Sequence, residues 1–344
     1  MKPNHLRVAA VAAGTVLVAG VTTGCNRDSS TGGQPTIGID LPHDDSDFWN
    51  SYAQYTRRYL STLDVDALPI THSQGDAAKL AGNVHVFEIV GADAVVMAPQ
   101  NTAAIASTLR RLASKHIPVV TVDTRPDSGK VYMVVRADNR AYGTKACEFL
   151  GKQLGGKGKV AELAGALDSI NGRERTEGFA ACMKKNFPDI TVYPLATDWE
   201  GPVAYSKLQA LLRQHPDISG IYLQAGGAFL QPTLTLLEQK GLLKPAGSAG
   251  HIVIVSNDGT PQEFAAIRRG HIDATVSQPA DIYAKYALYY AVAAASGKTF
   301  KPGPTDHGST IVQLPNGLED QLPAPLVTKT NVDDKNLWGN NISH

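Results

Sequence analysis

The sequence predicts an α/β protein built from two similar lobes, each a parallel sheet flanked by helices. Short apolar runs alternate with helical stretches from Thr36 onward, and repeated strand–helix–strand units imply parallel sheets covered on both sides. The runs are continuously apolar rather than alternating, which is typical of strands buried on both faces. They are also too numerous for one open sheet in a chain of 344 residues, so we expect two sheets and hence two lobes.

The predicted elements follow one another with few interruptions. The apolar runs that predict strands are TIGIDL, DAVVMAP, IPVVTVD, KVYMVV, GKVAELAG, GIYLQA, HIVIVSND and IDATVSQ. The stretches that predict helices are Phe48–Leu60, Ala77–Val90, Thr102–Lys115, Ala141–Leu154, Arg173–Asn186, Tyr205–Gln214, Ala228–Lys240, Pro261–Arg269 and Ile282–Ala295. Between Ile117 and Asn139 two strands follow each other with a turn alone, and there we expect the chain to leave the first lobe. The end of the chain, 319–344, is rich in Pro and Asn, which favours an irregular surface tail.

The first 24 residues have the layout of a secretory signal. Lys2, His5 and Arg7 precede an apolar run that ends in small residues before Cys25. We predict a signal peptide over 1–24, lipid attachment at Cys25 and a polar tether over 25–35, which suits an anchored protein. The alternative is ordinary signal cleavage with an incidental cysteine. With lipidation, the protein is extracytoplasmic and held to the outer face of the cell membrane by the lipid alone.

The charge balance excludes several function classes. Lys and Arg together number 32, as do Asp and Glu, so the net charge is zero. A nucleic-acid groove or a membrane-surface patch would show as a basic excess. We therefore expect no nucleic-acid partner, and no helix-turn-helix pattern precedes the lobes.

Two further cysteines, Cys147 and Cys182, lie in predicted helices. Export to an oxidising compartment permits a disulfide between them. Helices are a less usual place for a bridge, so two buried thiols are at least as well supported. The sequence leaves both alternatives open.

Nucleotide, metal and hydrolase motifs are incomplete in this sequence. The run Gly151–Gly158 begins like a phosphate-binding loop, but Gly158 stands where Ser or Thr should hold magnesium, and the run precedes a strand instead of following one. No G-x-S-x-G elbow occurs, and the histidines lack zinc spacing. We expect no metal, no cofactor and no catalytic centre, and hence a protein that is not an enzyme.

Polar and aromatic residues gather where the predicted strands end, which is where open α/β sheets bind ligands. They are Phe48, Trp49, Asp123, Arg173, Asp198, Trp199, Gln224, Asn257, Asp258 and Gln278. Carboxylates and a guanidinium make charge-assisted hydrogen bonds to hydroxyl groups, and aromatic faces cover the C–H sides of a sugar ring. An anionic ligand would require more cations than carboxylates. The set therefore favours a neutral polyhydroxylated ligand.

From about Thr36 to Val312 the chain resembles the periplasmic ribose-binding protein family, the solute receptors of ABC sugar importers. The segments that carry the resemblance are SDFWNSY, IPVVTVDTR, ADNRAYG, GRERTEGF, HPDISGIYLQ, VIVSNDGTP and ATVSQ. The resemblance implies a type I periplasmic binding protein fold, in which crossover hinge strands join two lobes that close around a sugar. It implies lobe one over 36–137 plus 279–307 and lobe two over 138–278 plus 308–318.

The resemblance also implies the ligand-binding residues. They are Ser46, Phe48, Trp49, Asp123, Arg173, Trp199, Asn257, Asp258 and Gln278. Arg173 is expected to reach into the cleft, whereas Arg175, two residues on and on another helix face, is expected to brace lobe two. The sequence departs from the family pattern at Ser46, Thr124, Ala225, Gly226 and Asn257. These departures favour another pentose, a small sugar alcohol or a cyclitol over D-ribose.

The function that the resemblance implies is solute binding for an ABC importer, with a sugar or polyol as ligand and a membrane permease as partner of a monomeric protein. One alternative is a sensory protein that presents a sugar-like signal to a membrane receptor. A less favoured alternative is a carbohydrate-active enzyme that uses paired carboxylates such as Asp44 and Asp45.

Overall fold

The computed structural model describes residues 33–342. The predicted signal peptide over 1–24, the lipid attachment site at Cys25 and most of the predicted tether lie outside the described residues. Among residues 33–342, no helix has both the length and the apolar content that a membrane crossing requires.

Strands and helices alternate along most of the described chain. The strands are β1 (Thr36–Leu41), β2 (Asp66–Ala67), β3 (Thr71–His72), β4 (Ala94–Met97), β5 (Val119–Val122), β6 (Met133–Ala137), β7 (Gly158–Ala164), β8 (Ile190–Ala196), β9 (Gly220–Leu223), β10 (Val253–Asp258), β11 (Ala274–Ser277), β12 (Gly303–Pro304), β13 (Thr310–Leu314), β14 (Gly317–Leu322) and β15 (Leu326–Thr328). The helices are α1 (Asp47–Leu60), α2 (Ala77–Ile89), α3 (Ala106–Ser114), α4 (Asn139–Gln153), α5 (Ile170–Asn186), α6 (Gly201–Gln214), α7 (Gly226–Gln239), α8 (Pro261–Arg269) and α9 (Ala280–Ala295), with a short 3-10 helix at Trp338–Asn340.

Two separate sheets give the molecule its two lobes. The first sheet has the order β12-β13-β14-β6-β5-β4-β1-β2, with β3 also pairing with β1, and its central strands run parallel. The second sheet has the order β15-β11-β10-β9-β7-β8 and is parallel apart from β15. Buried apolar clusters cover both faces of each sheet, which explains why the strands read as continuous apolar runs.

The chain passes between the two sheets three times. It leaves the first sheet after β6, returns from β11 into α9, and crosses again between β14 and β15. Helix α9 packs on α1, β4 and β5 of the first lobe.

The end of the chain differs from the prediction in two ways. The segment 308–318, predicted in lobe two, contains β13 and the start of β14, which belong to the first sheet. The segment 319–344, predicted as an irregular tail, completes β14 and supplies β15 to the second sheet. Strand β14 does not read as an apolar run because it contains buried carboxylates. Asp320 is fully buried and accepts a hydrogen bond from Tyr290 Oη at 3.0 Å.

Helices α4 and α5 pack with their backbones in contact, because small residues meet at the crossing. A Cβ added to Gly143 would lie 2.1 Å from the carbonyl oxygen of Arg175, and one added to Gly178 would lie 2.3 Å from that of Arg140. A disulfide joins Cys147 of α4 to Cys182 of α5, which resolves the alternative that the sequence left open. The disulfide therefore joins the later part of α5 to α4 within the second lobe.

Candidate ligand-binding cleft

A cavity of about 260 Å³ lies between the lobes, beyond the carboxyl ends of the parallel strands. Of the predicted site residues, those that line it are Ser46, Phe48, Trp49, Asp123, Trp199, Asp258 and Gln278. Those that do not line it are Arg173 and Asn257. Lining residues that the prediction omitted include His43, Asp45, Gln100, Thr124, Ser169, Asn171, Arg175 and Glu200.

The wall that lobe one contributes to the cavity is aromatic, and its side chains pack into the hydrophobic core of that lobe. Phe48 and Trp49, in the first turn of α1, are 3% and 8% exposed. The Phe48 ring makes edge contacts with Trp49 at 5.2 Å and with Trp338 at 6.0 Å between ring centroids. Because neighbouring rings fix these side chains, their cavity-facing surfaces are set before any ligand arrives.

The lobe-two wall carries a third aromatic side chain. Trp199 has a backbone φ of 65° and stacks on Phe229 with an interplanar angle of 8° and ring centroids 6.4 Å apart. A Cβ at Gly165 would lie 2.0 Å from the Trp199 ring. Only glycine therefore leaves room for the indole in this position.

Among the described residues that line the cavity, Arg175 supplies the guanidinium. It is 2% exposed; Nε donates to Asn139 Oδ1 at 2.6 Å and Nη1 donates to the Gln224 carbonyl oxygen at 2.5 Å. Its guanidinium lies 5.1 Å from the Tyr142 ring centroid and 5.6 Å from that of Trp199. Within residues 33–342, Nη2 makes no hydrogen bond, so this donor remains available to a ligand.

Asp123 supplies a buried acceptor on the lobe-one side. It follows β5 with a φ of 62° and is 7% exposed. Oδ2 accepts a hydrogen bond from Asn171 Nδ2 at 2.9 Å, whereas Oδ1 has no partner among the described residues. A buried carboxylate oxygen without a partner is costly, and a ligand hydroxyl group in the cavity would supply the missing donor.

Asp258 supplies a second buried carboxylate, from lobe two. It ends β10 with a φ of 113° and is 3% exposed. Oδ1 accepts from Gln278 Nε2 at 2.7 Å, and Oδ2 accepts from the Gly227 backbone N–H at 2.8 Å. These neutral donors orient the carboxylate without neutralising it.

Burial raises the pKa values of the carboxyl groups at the cleft. Desolvation raises the pKa of Asp123, although Arg175 and Arg136 oppose the shift. Desolvation likewise raises the pKa of Asp258 to about 6, against the opposing effect of Arg175. Behind Asp258, burial and the Asp258 charge raise the pKa of Glu263 to about 8. Among residues 33–342, the cavity lining thus holds several carboxylates and one guanidinium.

Of the two arginines of the GRERTEGF segment, Arg175 lines the cavity and Arg173 does not, although the bonds of Arg175 to Asn139 and Gln224 also brace lobe two. The expectation that Arg173 reaches into the cleft is wrong: its Nη2 donates to Asp127 at 2.5 Å, outside the cavity lining. The helix begins at Ile170, three residues earlier than predicted. Asn171 and Arg175 are then four residues apart and share a face, and both line the cavity. That spacing is the signal that could have identified Arg175.

Asn257 also lies outside the cavity. It is fully buried, and its Nδ2 donates to Tyr222 Oη at 3.0 Å and to the Gln224 carbonyl oxygen at 3.2 Å. Successive side chains of a strand point to opposite faces, so Asn257 and Asp258 cannot both face the ligand. Asn257 instead supports the segment that follows β9.

Comparisons with known proteins agree with this architecture. A family model described as "Periplasmic binding protein domain" matches residues 37–299. The chain is 28% identical over 219 residues to the ribose import binding protein RbsB of Bacillus subtilis (strain 168), covering 63% of this chain and 68% of that protein. It is 24% identical over 330 residues to a xylitol-binding protein of Mycolicibacterium smegmatis, covering 95% of this chain and 87% of that protein.

A solved structure shares the fold. The ABC transporter solute binding protein from Bacillus halodurans C-125 with bound myo-inositol has a TM-score of 0.77 and 19% identity, covering 90% of this chain and all of that one (100%). The predicted fold class, two parallel-sheet lobes flanked by helices, is confirmed. Since the family model spans most of a chain whose relatives include ribose-binding proteins, the chain belongs to the periplasmic sugar-binding protein family.

Proposed function

We propose that this protein is an extracytoplasmic solute-binding lipoprotein of an ABC importer, and that its ligand is a neutral monosaccharide or sugar alcohol. The class comprises pentoses, small polyols and cyclitols. The observation that carries the proposal is the cavity itself, in which aromatic faces from both lobes surround Asp123, Arg175 and Asp258.

The unsatisfied groups of the cavity match hydroxyl chemistry. Among the described residues, Asp123 Oδ1 is buried without a donor, and Arg175 Nη2 is left free to donate. A hydroxyl group can donate to the first and accept from the second. In the part of the chain that the structure describes, an anionic sugar would meet two buried carboxylates and one guanidinium, so the cavity disfavours sugar acids and sugar phosphates. The relatives named for ribose and xylitol, and the structural neighbour with bound myo-inositol, support the same ligand class.

Hinge closure is the proposed binding mechanism. Three crossings join the lobes, and ligand contacts come from both of them. A ligand that touches both walls stabilises the closed form and shifts the population toward it. Micromolar affinity corresponds to about 8 kcal/mol, which a few charge-assisted hydrogen bonds at roughly 1.5–3 kcal/mol each can supply.

The remaining parts of the proposal concern location and partners. Lipidated Cys25 would hold the monomeric protein at the outer membrane face, and the closed form would dock on a membrane permease. The protein would release its sugar unchanged and would need no cofactor. The family's other members named above are solute-binding proteins, which supports a binding role over an enzymatic one.

A thermal-shift screen tests the ligand class. The mature protein without its lipid is heated with D-ribose, D-arabinitol, xylitol, myo-inositol and the anion D-ribonate. A ligand at about 100 times its Kd stabilises the folded state by about 2.7 kcal/mol, which raises Tm by a few degrees. We expect a rise with at least one neutral compound and none with D-ribonate. A rise with D-ribonate alone, or with none of the compounds, would contradict the proposal.

A further inference from the structure

The ion pair between Arg173 and Asp127 joins the two lobes beside the cleft, and we propose that it is a latch on the closed form. Arg173 would be a positioning residue that strengthens sugar binding without touching the sugar. The inference rests on the proposed function, because a latch has meaning only if the lobes close around a ligand.

The pair crosses from one lobe to the other. Arg173 lies on α5 of lobe two, and its Nη2 donates to Asp127 Oδ1 at 2.5 Å and to Thr102 Oγ1 at 3.4 Å. Asp127 and Thr102 belong to the loops after β5 and β4 of lobe one. None of the three lines the cavity. Separation of the lobes would break these bonds, whereas replacing Arg173 or Asp127 leaves every side chain that lines the cavity in place.

Each lobe holds its half of the pair in place. The Arg173 Nη1 donates to the carbonyl oxygen of Leu167, within lobe two, at 3.1 Å. On lobe one, the Asp127 backbone N–H donates to the Thr102 carbonyl oxygen at 2.9 Å, and Thr102 Oγ1 donates to Asp127 Oδ1 at 3.1 Å. Because each side chain is already oriented within its own lobe, closure costs little additional side-chain conformational entropy.

A second set of bonds crosses the lobes at the same place. The Thr102 backbone N–H donates to the Asp168 carbonyl oxygen at 3.3 Å, and Asn101 Nδ2 donates to Asp168 Oδ2 at 3.0 Å. Thr102 thus contacts lobe two at two places, at Asp168 just before α5 and at Arg173 within α5. The latch is a small network rather than a lone surface pair, and networks hold their geometry better than lone pairs.

The exposure of the pair sets the expected size of its effect. The side chains of Arg173 and Asp127 are 30% and 32% exposed, so salt screens their attraction in part. We expect loss of the pair to weaken sugar binding about fivefold. A latch forms its contact only when the lobes close, so the loss should appear in the dissociation rate, with the association rate unchanged.

The test is a double-mutant cycle with a matched control. Titration and stopped-flow fluorescence with D-ribose, xylitol and myo-inositol would compare the wild type with Arg173→Ala, Asp127→Ala and the double variant. We expect each single change to raise the dissociation rate about fivefold, and the double change to raise it no further. The exchange Arg173→Asp with Asp127→Arg should restore part of the loss. The control, Arg140→Ala, removes a pair with Glu177 that lies within lobe two and should leave the rate unchanged.

The outcomes separate the latch from the proposed function. If the wild type binds a probe and the variants release it at the wild-type rate, or if the two single effects add, the latch is overturned. An equal effect of Arg140→Ala would overturn it as well, since any exposed ion pair would then do the same. If the wild type binds none of the three probes, the proposed function fails and the latch fails with it.

Discussion

The inner layer of the cleft and its rim use the same residue types in opposite ways. Within residues 33–342, no carboxylate lies within ion-pair distance of Arg175, although Asp123 and Asp258 line the same cavity. At the rim, Arg173 contacts Asp127 directly at 2.5 Å. The inner groups are oriented by neutral partners and keep free bonding capacity, whereas the rim groups satisfy each other. A binding surface requires the first arrangement, and a closing contact requires the second.

The largest expected effect concerns the scaffold that carries both layers. Replacing Cys147 and Cys182 with Ser removes a cross-link between residues separated by 35 positions, which should lower the free energy of unfolding by about 3–4 kcal/mol. Urea denaturation would measure the loss. We expect sugar affinity at 20 °C to change less than twofold, because α4 and α5 remain packed through Gly143 and Gly178. A large affinity loss with little change in stability would contradict this.

The next largest effect should appear in the inner layer. Asp258→Ala removes the acceptor that holds Gln278 and the Gly227 N–H and removes one buried charge. We expect affinity for the best sugar of the screen to fall about 100-fold, by loss of a charge-assisted hydrogen bond and disorder of its neighbours. Isothermal titration calorimetry would measure it. Asp127→Ala serves as the rim counterpart, with an effect of about fivefold; equal effects would remove the distinction between the layers.

The smallest expected effect is a pH dependence of stability that arises directly behind the inner layer, at Glu263. Glu263 accepts bonds from the Thr260 N–H and from Thr275 Oγ1 behind Asp258, and its pKa is raised from 4.5 to about 8. Between these values the folded protein binds more protons than the unfolded chain, so this contribution to stability is complete below pH 4.5 and is lost as the pH rises toward 8.

The substitution Glu263→Gln should remove that part of the pH dependence. We expect the stability difference, wild type minus variant, to decrease from pH 5 to pH 8.5 by about 1 kcal/mol or more. Urea denaturation across this range would measure it. A difference that stays constant or increases with pH would show that Glu263 is ionised in the folded protein throughout.

Much of the fold could be predicted from the sequence because its strands are buried on both faces. The strands β1, β4 and β5 read as apolar runs for this reason, and the helices between them follow from periodicity. Strand β14 could not be predicted, since Glu319 and Asp320 are 1% and 0% exposed yet charged. Their partners lie elsewhere in the sequence, as with Tyr290 and His307 on Asp320. The local pattern of apolar and polar residues does not show which buried carboxylates will find hydrogen-bond partners from distant parts of the chain.

The candidate site could be predicted in outline but not in detail. Strand-end position located Asp123, Asp258 and Gln278, because ligand sites of α/β proteins lie there. It misplaced Asn257, whose face follows from strand alternation, and Arg173. Arg173 and Arg175 are about 200° apart around the helix, and Asn171, which shares the face of Arg175, lies outside a helix predicted to begin at Arg173. Helix ends are the least certain part of a sequence-based prediction, so the choice between the two arginines required the structure.

Calorimetric titration of Arg175→Ala and Arg173→Ala, side by side with the wild type, tests the central claim most directly. The sugar is the one that gives the largest thermal shift in the screen, and circular dichroism verifies that each variant is folded. We expect no measurable binding for Arg175→Ala and binding weakened about fivefold for Arg173→Ala. Binding that survives in Arg175→Ala and vanishes in Arg173→Ala would contradict the assignment of Arg175 to the ligand and Arg173 to the rim.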